Sequence, residues 1–206
     1  MPKNKTKRGR FIVFEGLDGS GQSTQAERLV EYLKKNRLKV HPTKEPTNNL
    51  IGGLIRGQLQ GDWKSTPECL QLLFAADRAH HLQREIVPYL EKGISVVCDR
   101  YFFSSIAFGS LEIDDWQWLK EINKRFLLPD IVFYLKTSPK TCIKRISDSR
   151  FSFELFEKEK KLQTIKKSYD KLAKEYDFFE IIDGEKEIDR VEEEINSRLK
   201  KRLKLI

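Results

Sequence analysis

Sulfur is scarce in this chain. Its 206 residues include one Met and three Cys. An odd number of cysteines without metal-ligand spacing argues against a disulfide framework and against a thiolate metal site. Cys69, Cys98 and Cys142 are therefore expected to be reduced structural thiols of a cytoplasmic protein. Long apolar runs are also missing. None approaches the ~20 residues that span a bilayer, so no membrane association is expected. The N-terminus lacks the apolar stretch of a signal peptide. No internal repeat is visible and no linker interrupts residues 10–204. These absences point to one domain over residues 10–206, preceded by a basic, flexible tail over residues 1–9.

A basic excess is absent where a nucleic-acid interface would need it. The chain carries +8 overall. Five basic groups lie in the first ten residues (Lys3, Lys5, Lys7, Arg8, Arg10) and five more near the end (Arg198, Lys200, Lys201, Arg202, Lys204). Neither segment holds an acid, so the middle of the chain is slightly acidic. A nucleic-acid partner is not expected, and the ends read as solvated charge.

What is present is an alternation of strands and helices. Arg10–Glu15 is a short apolar run followed by a glycine-rich loop, and a helix begins at Gln22 with Ala26, Leu29, Val30 and Leu33 on one face. Val40–Thr43 is a weaker strand. Thr66-Pro67 starts a long helix through "ECLQLLFAADRAHHLQREIVPYL". "GISVVCDR", Asp130–Lys136 and Phe178–Ile182 are further strands. Ser138-Pro139 starts another helix. Leu155 to Tyr176 and Ile188 to Leu199 complete the helical pattern, and Asp114 or Asp115 can cap a short one. The pattern predicts an α/β fold, a doubly wound five-stranded parallel sheet with helices on both faces. Functional groups should gather at the carboxyl ends of the strands.

The loop "GLDGSGQS" keeps the G-x-x-x-x-G-K-[ST] spacing of a phosphate-binding loop but lacks its lysine: Gln22 stands there. Its glycines can turn backbone N–H groups inward to form an anion nest. Ser23 can reach Mg²⁺ through its hydroxyl. Four other groupings accompany it. Glu45-Pro46 follows the second strand, and Arg56 lies in "LIRGQL". Phe74 and Arg78 stand four apart, which sets an aromatic plate beside a cation on one helix face. Asp99-Arg100 ends the third strand. Arg145 and Arg150 precede a long helix, where a flap could sit. Bland readings remain open: Phe74 as core, Arg78 as a surface ion pair, Asp99 as a strand-end cap, Arg145 and Arg150 as a solvated face. His80-His81 reads as surface rather than as a metal site.

The set FEGLDGSG…STQ, KEP, LIR, LLFAADRA and DRYxxSSxAF resembles the thymidylate kinase family over about Phe11 to Ile195. The resemblance implies the nucleoside-monophosphate kinase fold, usually a homodimer, transferring the γ-phosphoryl of ATP to dTMP. It places ATP phosphates on the loop formed by Gly16, Leu17, Asp18, Gly19, Ser20, Gly21, Gln22, Ser23 and Thr24. Asp18 would accept from the 3′-hydroxyl of the acceptor sugar. Phe74 would stack on thymine, Arg78 would donate to a base carbonyl, and Ser105 would sit at the base edge. Arg56 and Arg100 would hold the acceptor phosphate. Glu45 and Phe108 would complete the dTMP site, with Phe108 near the sugar in place of a Tyr. Ser23 and Asp99 would serve Mg²⁺, Asp99 through water. A lid would span about residues 145–156, and Asp183-Gly184 would lie near adenine. Asp18, Arg100, Arg145 and Arg150 would form the catalytic set, with a lid arginine supplying charge that Gln22 cannot. Gln22, Lys44 before Glu45, Phe108 and Gly109 depart from the family pattern. They keep open a kinase of relaxed monophosphate specificity, or a nucleotide-binding homologue with little catalysis.

Overall fold

Along the first strand, side chains alternate between two apolar layers. Phe11 and Val13 enter one core; Ile12 and Phe14 enter the other. A strand buried on both faces needs helices on both sides, and the chain supplies them. A computed structural model describes residues 8–146 and 152–203, the side chains of 152–157 excepted. Five strands, β1 (Phe11–Gly16), β2 (Val40–Lys44), β3 (Ser95–Asp99), β4 (Ile131–Lys136) and β5 (Phe179–Asp183), form a parallel sheet in the order β2-β3-β1-β4-β5.

On one face lie α1 (Gln22–Lys35) and α9 (Ile188–Leu203). Ala26, Leu29, Val30 and Leu33 of α1 meet Val191, Ile195, Leu199 and Leu203 of α9 over Ile12, Phe14 and Phe133. The other face is covered by α4 (Val87–Glu91), α5 (Phe102–Gly109), α6 (Trp116–Glu121), α7 (Pro139–Ile146) and α8 (Ser152–Glu175), with α3 (Pro67–His81) packed on α5. Helix α2 (Leu50–Gln60) packs on α3. The chain leaves β1 for the β2 edge, returns through β3, and then crosses to β4. That reversal beside β1 opens a crevice at the strand carboxyl ends.

Two expectations change in detail. The long third helix is broken by a π-helical turn, Leu82–Ile86, between α3 and α4. Pro88 explains it: proline has no N–H to donate and crowds the carbonyl four residues back. Helix α2 goes unannounced, because Gly52, Gly53 and Gly57 weaken its helical pattern. Gly52 is required there by space, since a Cβ would fall 1.9 Å from the Thr47 carbonyl oxygen. The capping expectations hold: Thr66 accepts from Cys69 N and Asp115 from Trp118 N. All three cysteines are free thiols. Among the described residues, no helix is long and apolar enough to cross a membrane.

Candidate active site

The phosphate-type loop closes β1 and opens α1. Gly19 (φ 81°) and Gly21 (φ 93°) take left-handed backbone that a side chain disfavours. Gly21 is the N-cap of α1 and makes no side-chain cap bond. The first N–H groups of the helix are thus left for an anion, with the helix dipole behind them. Gln22 is buried, and its Nε2 donates to Asp99 Oδ1 at 3.1 Å. Ser23 Oγ donates to Asp99 Oδ2 at 2.5 Å. The carboxylate at the end of β3 is therefore held by the two residues that open α1.

Arg100 follows Asp99 at φ 70°, a conformation costing of order 1–3 kcal/mol for a non-glycine residue. Its surroundings over-determine it. Its N–H donates to Phe14 O at 3.0 Å. Nη1 donates to Gly16 O at 3.1 Å and to Ser104 Oγ at 3.0 Å, and Nη2 donates to Asp18 Oδ1 at 2.7 Å. The guanidinium carbon lies 5.2 Å from the centroid of the Phe108 ring.

Behind it sits Glu15, fully buried in β1. Its Oε1 accepts from the N–H groups of Tyr101 (2.9 Å) and Ser104 (3.2 Å). Its Oε2 accepts from Ser104 Oγ (2.5 Å) and Tyr169 OH (2.8 Å). Helix α5 lacks a side-chain cap of its own, and Glu15 serves as one from β1. Burial pushes the Glu15 carboxyl up to about 7, while Arg100 and the hydrogen bonds from Ser104, Tyr169 and Tyr101 pull it back.

A cavity of about 350 Å³ opens beside this loop. Asp18, Glu45, Phe74, Arg78, Arg100, Ser105 and Phe108 all border it, so the structure brings most of the expected acceptor residues together. Phe74 is half-buried in the cavity wall rather than lost in the core. Arg78 is 1% exposed, which excludes a surface ion pair. Its Nε donates to Glu45 Oε2 at 2.8 Å, Nη1 to Asn123 Oδ1 at 2.6 Å and Nη2 to Ser105 Oγ at 2.9 Å. Arg56 does not border this cavity; from α2 its Nη1 donates to the Thr47 carbonyl.

A second cavity, about 320 Å³, lies on the other side of the loop between Ser20, Gly21, Thr24, Arg145 and Gly184. Arg145 reaches the loop itself, with Nη1 donating to Ser20 O at 3.3 Å. Arg150 and the lid over 147–151 lie outside the described residues.

The surface reading of His80-His81 needs correction for His81. It is 1% exposed, 3.1 Å from Glu45 Oε1 through Nδ1 and 2.8 Å from Thr43 Oγ1 through Nε2. It faces inward with Asp77 and Arg78, while His80 stays exposed. Glu15, Ser104, Asn123 and Tyr169 also escaped the sequence reading. An acid inside an apolar strand was the available signal for Glu15.

The sequence is similar to those of known proteins. The sequence model of the thymidylate kinase family matches residues 14–195. A probable thymidylate kinase of Methanocaldococcus jannaschii is 40% identical over 190 residues, covering 92% of this chain and 95% of that protein. A probable thymidylate kinase of Sulfurisphaera tokodaii is 40% identical over 185 residues, covering 89% of this chain and 92% of that protein. A thymidylate kinase of Plasmodium falciparum is 38% identical over 192 residues, covering 92% and 89%. With its five-stranded parallel sheet, phosphate-type loop and adjoining cavity, this chain belongs to the thymidylate kinase family.

Proposed function

We propose that the protein transfers the γ-phosphoryl group of ATP to dTMP, yielding dTDP and ADP. The observation that carries this reading is the cavity beside the phosphate loop. A base-sized cavity walled by Phe74, Arg78 and Ser105 meets the anion nest of the phosphate loop at Arg100 and Asp18. An acceptor phosphate at Arg100 would stand beside a donor phosphate on the loop. An oxygen of the acceptor phosphate attacks the γ-phosphorus as its bond to the β–γ bridging oxygen breaks, and ADP leaves. Such transfer depends on placement and charge more than on covalent help.

Each residue then has a task. The open N–H groups of the loop and of α1 bind the ATP phosphates, and the cavity at Arg145 and Gly184 takes the adenosine end. Phe74 stacks on the base, Ser105 and Arg78 form the polar wall, and Asp18 meets the sugar hydroxyl. Arg56, held on the Thr47 carbonyl outside the cavity, is proposed to bring charge from α2 to the acceptor phosphate. Arg145, with Arg150 of the lid, supplies cationic charge that neutral Gln22 cannot. Ser23 Oγ and Asp99 Oδ2, 2.5 Å apart at the loop mouth, are hard oxygen donors that suit Mg²⁺. When bound there, the ion neutralises phosphate charge. The protein is proposed to work as a homodimer.

A coupled ADP-release assay across the nucleoside and deoxynucleoside monophosphates tests the reading. dTMP is expected to give the highest kcat/KM. No ADP release above background with any pyrimidine monophosphate would overturn it.

A further inference from the structure

Gln71 lies one turn before Phe74 and two turns before Arg78 on α3, and it borders the same cavity. It is 5% exposed. Its Oε1 is buried and has no partner among the described residues. A buried amide oxygen without a donor is costly, and native proteins seldom leave one so unless a ligand or water completes it.

The arginine on the same cavity wall is committed elsewhere: Arg78 gives its nitrogens to Glu45, Asn123 and Ser105. The space for the amide comes from Gly109 on α5. A Cβ there would fall 3.0 Å from Gln71 Cδ and Nε2, so a glycine at 109 is what lets a carboxamide stand at this wall.

A half-turn of the terminal torsion exchanges Oε1 and Nε2, so Gln71 can present an acceptor and a donor side by side. The thymine edge offers the complement: N3–H donates and O4 accepts. We infer that Gln71 is a specificity-determining residue whose carboxamide hydrogen-bonds the N3–O4 edge of the acceptor base. The inference rests on the reading of this cavity as the base site. Phe74 then supplies affinity for any flat base, and Gln71 distinguishes among them.

The test compares dTMP with N3-methyl-dTMP, which lacks the N3 donor, in the wild type, Gln71→Leu and Phe74→Ala. In the wild type, N3-methylation is expected to lower kcat/KM about tenfold or more, the scale of a lost hydrogen bond. In Gln71→Leu the KM for dTMP rises, the KM for ATP is unchanged, and the penalty for N3-methylation largely disappears. An equal methylation penalty in both proteins would overturn the inference while leaving the base site intact. A dTMP KM unaffected by Phe74→Ala would overturn it differently, by removing the base from this cavity altogether. If Gln71→Leu fails to fold, Gln71→Met carries the same comparison.

Discussion

Gln22 exchanges a cation for an amide at the place where phosphate charge concentrates, and the structure shows what the amide does instead. It ties α1 to Asp99 through a 3.1 Å hydrogen bond. A lysine at that position would pair with Asp99 and add positive charge beside the nucleotide phosphates. Gln22→Lys is expected to lower the KM for ATP about tenfold, equivalent to ~1.4 kcal/mol. In an Arg150→Ala background it should also restore part of the lost turnover, because one cation replaces another. Steady-state kinetics of the four proteins checks both; strictly additive effects on kcat would show that loop and lid act independently. Phe74→Ala tests the neighbouring cavity. Loss of a stacking contact worth roughly 1–3 kcal/mol should raise the dTMP KM and spare that for ATP. Equal losses for both nucleotides would assign Phe74 to fold maintenance. Phe74 and Arg78 were legible because helical spacing puts i and i+4 on one face. Asn123, which takes a hydrogen bond from Arg78 across 45 positions, was not, since no local pattern announces such a partner.

Among the elements, β1, α5 and α8 are joined by one buried carboxylate. Glu15 caps α5 from β1 and accepts from Tyr169 of α8, so the backbone around Arg100 is fixed by a group outside its own loop. The sequence made β1 and α8 visible through their apolar periodicity. It hid α5, whose capping group lies 86 residues away, and α2, whose glycines answer to close packing. The pH consequence belongs to this element pair. The Glu15 carboxyl is raised from its ordinary value of 4.5 to about 7, so between those limits the folded state holds a proton that the unfolded chain has released. Its contribution is fully present below the unfolded value and is lost as pH rises toward 7. At about 1.4 kcal/mol per unit, the loss totals ~3 kcal/mol. Glu15→Gln keeps an acceptor for the Tyr101 and Ser104 N–H groups and cannot ionise. Relative to the wild type, its urea midpoint should therefore rise from pH 5 to about pH 7 and level off above that. A difference that stays constant over that range would show that Glu15 does not titrate there.

At the scale of the whole molecule, the sheet order does most of the work of assembling the site. Placing β1 between β3 and β4 brings the loop after β1 against Asp99 and Arg100 at the end of β3. Strand-helix alternation was readable in the sequence, but the neighbour relations that put these ends together are long-range. Outside the sheet, α2 packs on α3, and both helices expose leucines. Leu50 is 82% exposed and Leu54 45% on α2, and Leu72 is 52% exposed on α3. Leu50 and Leu54, four apart, share one helix face. An exposed apolar patch of this kind marks an association surface, and a second copy of the chain is the proposed occupant. The same two helices carry Arg56 and Phe74, so association would also brace the acceptor side of the site. The double variant Leu50→Glu/Leu54→Glu should therefore sediment at the chain mass while the wild type sediments at twice it. Its KM for dTMP should rise, with the KM for ATP little changed, because the phosphate loop lies on β1 and α1, away from that surface. If the variant is monomeric and its dTMP kinetics match the wild type, the α2–α3 layer holds its geometry without a partner, and dimerisation has no part in acceptor binding.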